Sequence, residues 1–243
     1  MFTIGTDPEF ILCKGKKPIS AIGKFPHETK PLKKNNNKPW FDANRKAYDA
    51  AKADFIGFVD TVIEKHGKQD PSIAHLAAKD CIFRINRDVR FSKDKSPYKS
   101  NMGAYINKDG KKGISAGYYF HCEPGAAFGG GGLYMAPPDQ LKNIRQEIDY
   151  NWKEFQKIIN SKKFKAVFGD LSTEGDMKLS RPPKGYEADN PAIEYLKLKS
   201  WVGMQQFSDA DLTSKDLVKK VCTNFETLQP LLLFLNEGLH AGE

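Results

Sequence analysis

Ile114-Ser115-Ala116-Gly117-Tyr118-Tyr119-Phe120-His121-Cys122-Glu123 is the stretch on which the fold turns. Alternation places Tyr119, His121 and Glu123 on one face and Tyr118, Phe120 and Cys122 on the other, the pattern of a strand with one side buried. Shorter strand patterns lie on either side at Cys81 to Asn86, Ala104 to Asn107 and Leu133 to Ala136. Gly129 to Gly132 is expected to make a wide hairpin turn. A helix opening at Pro39 precedes this cluster, with Tyr48, Ala51, Phe55, Phe58, Val59, Val62 and Ile63 at helical spacing and Gly67 as its stop. A second helix begins at Pro137-Pro138-Asp139 and carries Leu141, Ile144, Ile148, Trp152, Phe155 and Ile159 on one stripe. A short helix is predicted from Pro191 to Lys199. The last helix is expected to have Thr213 and Asp216 as its capping box, a kink at Pro230 and an end at Gly238. Helices flanking a strand cluster without βαβ alternation predict an α+β fold with a central, mostly antiparallel sheet and amphipathic helices around it.

Ahead of this body, residues 1–24 predict a β-hairpin appendage. Phe2 and Ile4 alternate, Phe10 to Leu12 is apolar, Lys14 to Lys17 turns the chain, and Ile19 and Ile22 resume. Prolines and the run Asn35 to Asn37 mark residues 25–38 as a loop or linker. The expected organisation is a hairpin and linker over 1–33, one domain over 34–238 and a tail over 239–243.

The chain has 243 residues, 40% hydrophobic and 28% charged, with 16 Phe, 9 Tyr and 3 Trp. This composition excludes collagen, coiled coil and a disordered chain. The longest apolar run, Leu231 to Leu235, is far short of the roughly 20 residues of a membrane span. The N-terminus lacks a basic stretch leading into an apolar run, so a soluble, cytoplasmic protein without a membrane partner is expected. Cys13, Cys81, Cys122 and Cys222 are far apart and predict inert reduced thiols.

The net charge is +8. Half of the excess falls in residues 1–34. A further +4 falls in residues 84–99, where Arg84, Arg87, Arg90, Lys93, Lys95 and Lys99 face only Asp88 and Asp94. A local cationic segment points to an anionic partner more strongly than a diffuse excess does. If Cys81 to Asn86 is a strand, Arg84 and Asn86 share a face, and Phe83 and Ile85 point the other way into the core. An Arg fixed on a strand suits bidentate capture of phosphate or carboxylate. The plainer alternative is a solvated loop in which the two aspartates neutralise two cations. His121, the only histidine within a predicted strand, is the candidate general acid or base, against the alternative of a hydrogen-bonded structural histidine.

Other motifs carry less. No Lys-Ser or Lys-Thr follows the glycine run, which refuses a phosphate-binding P-loop. Gly113-Ile114-Ser115-Ala116-Gly117 matches G-x-S-x-G, but its serine leads into a strand where a nucleophile elbow needs a helix. The five histidines are scattered, so no metal site and no cofactor is expected. Arg181-Pro182-Pro183-Lys184 is a cationic turn that either adds Arg181 to an anion pocket or stays an exposed loop.

Residues 34–238 resemble the uncharacterised family DUF2461. The resemblance rests on Asn36 to Arg45 with Tyr48, on Phe83 to Ser92 with Asp94 to Lys99, and on Tyr119 with His121. Gly132-Leu133-Tyr134, Arg145, Arg181 to Gly185 and Leu196-Lys197 continue it in order. It implies that Arg84, Arg87, Arg90, Lys99 and His121 share one site, and it supplies no reaction. The opening, Gly5-Thr6-Asp7-Pro8-Glu9-Phe10 with Ile19 to Gly23, is similar to the first hairpin of phage-type amidoligases. There it would imply Glu9, and less directly Asp7, as holders of Mg²⁺ and ATP. Only about two dozen residues match, and the rest of a ligase domain is missing.

The functional expectation is an anion site used by an enzyme on a phosphorylated or nucleotide-like small molecule. Arg84, Arg87 and Arg90 would bind the anion, Lys99 and Tyr98 would orient it, and His121 would move a proton. One alternative is a nucleic-acid-binding module using the cationic segment and the Lys-rich start, with Trp40, Tyr98 or Tyr119 for stacking. The other is a structural or interaction protein without catalysis.

Overall fold

The structure, a computed structural model, describes residues 10–11, 19–20, 31–173 and 177–240. Phe10–Ile11 (β1) and Ile19–Ser20 (β2) pair antiparallel, as the predicted hairpin requires. The rest of that hairpin, with Asp7, Glu9 and Cys13, lies outside the described residues. Residues 31–34 make a helical turn inside the segment expected to be a linker. Leu32 from that turn packs with Phe41, Ile85 and Tyr98 in a small second core.

The helix expected from Pro39 is two helices, Lys38–Ala43 (α1) and Arg45–His66 (α2), broken at Asn44. Asn37 caps α1, its side chain accepting from the Trp40 amide at 3.0 Å. After a 3₁₀ turn at Pro71–Ile73, a single helical turn, Ala78–Cys81 (α3), stands where a strand was predicted to start. The main sheet is Met102–Ile106 (β3), Gly117–Cys122 (β4), Ala127–Leu133 (β5) and Trp201–Phe207 (β6), in that order and antiparallel throughout. The fold is therefore α+β.

Two strand expectations fail together. Gly129 to Gly132 is not a turn but the middle of β5, pairing with β4 on one side and β6 on the other. The true hairpin turn is earlier, near Gly125, and Tyr134 and Met135, taken for strand residues, are exposed beyond it. β6 has no counterpart among the predicted elements.

Between β5 and β6 the chain forms Pro138–Tyr150 (α4), Trp152–Ile159 (α5), Lys162–Phe168 (α6) and Ile193–Leu196 (α7). α4 and α5 replace the one long helix expected, and Asn151 separates them. Asp209–Leu212 (α8) carries the capping box, formed by Ser208 and Asp211 rather than Thr213 and Asp216. The last helix, Leu217–His240 (α9), runs through both Pro230 and Gly238. Gly238 does not end it: α9 passes so close to α4 that a Cβ there would lie 2.8 Å from the Glu147 Cβ.

One sheet face is buried under α2 and α9. Phe58 meets Phe120 at 4.9 Å between ring centroids, and Phe225 stacks on Tyr118 at 4.7 Å. Register places Tyr105, Tyr119, His121, Phe128, Met204 and Gln206 on the opposite face, none of them fully buried. A large apolar set thus faces the helices and a polar, aromatic set faces away.

His66, at the end of α2, is an exception inside the core. It is 1% exposed, edge-on to Tyr118, and neither ring nitrogen has a hydrogen-bond partner among the described residues. Burial holds its pKa below the ordinary value, against the opposing pull of Asp70 and Glu226. The folded state therefore binds the proton less readily than the unfolded chain. This contribution is complete above about pH 6.5 and is lost as the pH falls below it. Urea unfolding of His66→Leu is expected to show a flatter decline between about pH 7 and 5 than the parent.

Candidate functional site

The site is built on the outward face of β4. Strand alternation sets Tyr119, His121 and Glu123 in a row, and their side chains join into one hydrogen-bonded chain. The His121 Nδ1 is 3.1 Å from the Tyr119 hydroxyl and 3.4 Å from the Asn101 amide nitrogen, and its Nε2 is 3.2 Å from Glu123 Oε2. The other Glu123 oxygen accepts from Ser100 Oγ at 2.8 Å and pairs with Lys33 Nζ at 2.9 Å. Burial pushes the Glu123 carboxyl up, but hydrogen bonds from Lys33, Ser100 and His121, with the Lys33 charge, outweigh it and hold the carboxyl below its usual range.

A carboxylate at Nε2 and donors at Nδ1 assign the proton to Nε2, leaving the Nδ1 lone pair to accept from Tyr119. Burial, and secondarily the Glu123 charge, push the Tyr119 phenol up to about 12, so it keeps its proton near neutrality. Phe128 stacks on the imidazole at 4.9 Å and 11°, fixing the plane of the ring. Opposite, Gly103 leaves room for the phenol, since a Cβ there would lie 2.6 Å from the Tyr119 oxygen.

The cationic segment is not a strand but a ribbon leaving the β3 edge. Isolated bridges join Ile82 to Ala104 and Asn86 to Tyr98, and the Phe83 amide donates to the Gly103 carbonyl at 3.0 Å. Ile85 enters the second core, whereas Phe83 does not turn inward as expected. It is 42% exposed and lies 6.4 Å from the Tyr119 ring. Lys99 Nζ sits 5.5 Å above the Phe83 ring. Burial, and then the nearby Arg84 charge, hold the Lys99 ammonium below the ordinary lysine range. Among the described residues neither Arg84 nor Lys99 forms an ion pair.

The predicted site residues therefore separate. Lys99 lies over Phe83, whose ring neighbours Tyr119 and so the His121 row, whereas the exposed Arg84 acts through its charge on both Lys99 and Asp88. Arg87 turns inward along the ribbon to Asp94 and to the Ser96 carbonyl at 3.2 Å, and Arg90 closes on Asp88 at 2.7 Å. Hydrogen bonds from Ser96 and Arg87 hold Asp94 down to about 2. For these two arginines the plainer expectation of internal neutralisation holds. The Tyr98 ring is buried, stacked on Phe41 at 4.0 Å, where it anchors the ribbon to α1 and leaves no ring to orient a ligand. Arg181 is exposed, with no ion pair among the described residues.

Sequence reasoning missed Lys33, Ser100, Asn101, Phe128 and Gly103 as parts of this site. Asn101 immediately precedes β3, and Gly103 is its second residue, paired with His121. Only correct placement of that strand could have found them.

A second cluster offers no competing centre. Ser115 Oγ donates to Asp109 Oδ2 at 2.7 Å and lies 3.3 Å from His240 Nε2, while Ser115 itself is 1% exposed. With the hydroxyl proton directed to a carboxylate, the imidazole does not activate the oxygen, and β4 follows where an elbow needs a helix. Burial pushes the Cys81 and Cys222 thiols up to about 11 and Cys122 still further, so the described cysteines are inert. Among the described residues no three His, Cys, Asp or Glu side chains converge as metal ligands would, and no helix is long and apolar enough to cross a membrane.

Residues 29–234 match the model of a family described as "Conserved hypothetical protein (DUF2461)". No curated protein and no solved structure matches the chain.

Proposed function

The chain belongs to the DUF2461 family, and for this member we propose an enzymatic role on an anionic small molecule, with a phosphate or carboxylate group held at the Phe83–Tyr119 edge of the sheet. The observation that carries this reading is the pair Arg84 and Lys99. Lys99 is half-buried over Phe83 with no ion pair among the described residues, burial and then the Arg84 charge hold its ammonium below the ordinary range, and an anion reaching it relieves both effects. Next to the Phe83 ring, Glu123, His121 and Tyr119 form a path for a proton. A proton arriving from the ligand on the Tyr119 oxygen pushes the phenolic proton onto His121 Nδ1, and Glu123 stabilises the imidazolium that results. Phe83, Tyr119 and Phe128 supply ring faces for a planar ligand such as a nucleotide. The three described cysteines are free thiols, which suits the reducing cytoplasm in which we place this activity.

The test is a screen of phosphorylated and carboxylated metabolites with the parent chain, His121→Ala and Tyr119→Phe. Both variants keep Arg84 and Lys99, so binding is expected to survive while turnover falls by about 10²- to 10⁴-fold. Turnover equal to the parent's in both variants would remove the proton path from the account.

A further inference from the structure

We propose that the tip of the cationic ribbon, centred on Phe91, is a docking point for single-stranded nucleic acid. Phe91 is 96% exposed, the most exposed of the large hydrophobic residues among those described. That exposure is not slack in a loose loop. Below the tip, the Arg87 amide donates to the Pro97 carbonyl at 2.9 Å, and the Arg87 guanidinium crosses the loop to Asp94. Lys95 Nζ donates to the Val89 carbonyl at 2.9 Å, and the Ser96 amide donates to Asp94 at 2.9 Å. A braced loop that holds a phenyl ring in water does nothing for the core, so its use is external.

The surroundings of the ring name the partner. The Arg90 guanidinium, held by Asp88 at 2.7 and 3.0 Å, stands 5.8 Å from the Phe91 centroid. One cation is thereby fixed against the ring, and exposed Lys93 is two residues further on. Residues 84–99 together carry +4. A π-surface set among cations matches a base flanked by phosphates: the base stacks on the ring and the backbone meets the positive side chains. A lipid surface fits less well. A single ring bordered by Asp88, Ser92 and Asp94 offers too little contiguous apolar area to enter a bilayer.

The test is fluorescence anisotropy of end-labelled oligothymidylate and oligouridylate, twelve nucleotides long, with the full chain at about 50 mM salt. Phe91→Ala is expected to weaken binding about tenfold, and Phe91→Trp to restore it with quenching of the added indole. Phe91 touches no core residue, so circular dichroism and Tm should not move. Three outcomes would overturn the proposal: no binding of either oligonucleotide, equal binding by parent and Phe91→Ala, or binding only to vesicles of phosphatidylserine and phosphatidylcholine.

Discussion

Replacing Gly132 by alanine is expected to cost about 3 kcal/mol or more, lowering Tm by roughly 6–12 °C in a domain of this size. Two independent physical effects add at this position. Its φ is +132°, a conformation that side-chain-bearing residues rarely adopt. A Cβ would also collide with the Trp201 carbonyl oxygen, with the Trp201 carbonyl carbon and the Val202 Cα both at 2.9 Å. These are backbone atoms of the paired strand, and they cannot move without breaking the β5–β6 ladder. Gly125→Ala is the control. Gly125 also has positive φ (+75°), but no atom lies within 4 Å of its missing Cβ, so only conformational strain of about 1 kcal/mol is expected. Thermal unfolding that moves equally little in both variants would show that β5 is not held between β4 and β6 as described.

The second large effect is on binding. Lys99→Met keeps an apolar stem over Phe83 and removes the charge, and Arg84→Ala removes the other cation. Each variant is expected to lose about ten- to hundredfold in affinity for a phosphorylated ligand, the range for deleting one charge-assisted hydrogen bond. Stability of Lys99→Met should rise or stay level, because burial and then the Arg84 charge both work against the Lys99 ammonium in the free protein. Arg90→Ala is the companion measurement. Its guanidinium is closed on Asp88, so small-molecule affinity is expected to stay within about twofold of the parent. Affinity that falls only in Arg90→Ala would relocate the anion site to the ribbon tip.

Much of the architecture was legible because periodicity reports burial. The Phe55, Phe58, Val59 and Val62 stripe of α2, the Ile144, Ile148 and Phe155 positions, and the alternation through β4 all mark faces that must leave water. Legibility failed where backbone pairing replaced side-chain pattern. Four consecutive glycines carry no alternation, so their strand was invisible until the β4 and β6 ladders placed it. In β6, Gly203 interrupts the pattern and the chain turns polar at Gln205 and Gln206, which hid a strand buried for most of its length. Asn44 and Asn151 broke helices whose apolar stripes continue across the gap. At the site, His121 and its row mates could be read from parity alone. The pairing of Arg87 with Asp94 and of Arg90 with Asp88 could not, because it depends on which side chains the folded ribbon brings together.

The central claim is that Arg84 and Lys99 await a shared anion beside the Tyr119–His121–Glu123 chain. Its most direct test is NMR titration of the Lys99 ε-methylene group with and without inorganic phosphate. The account predicts that Lys99 titrates below the other lysines in the free protein, and that phosphate raises its pKa toward the ordinary range, an effect lost in Arg84→Ala. A Lys99 titration that phosphate leaves unchanged would contradict it.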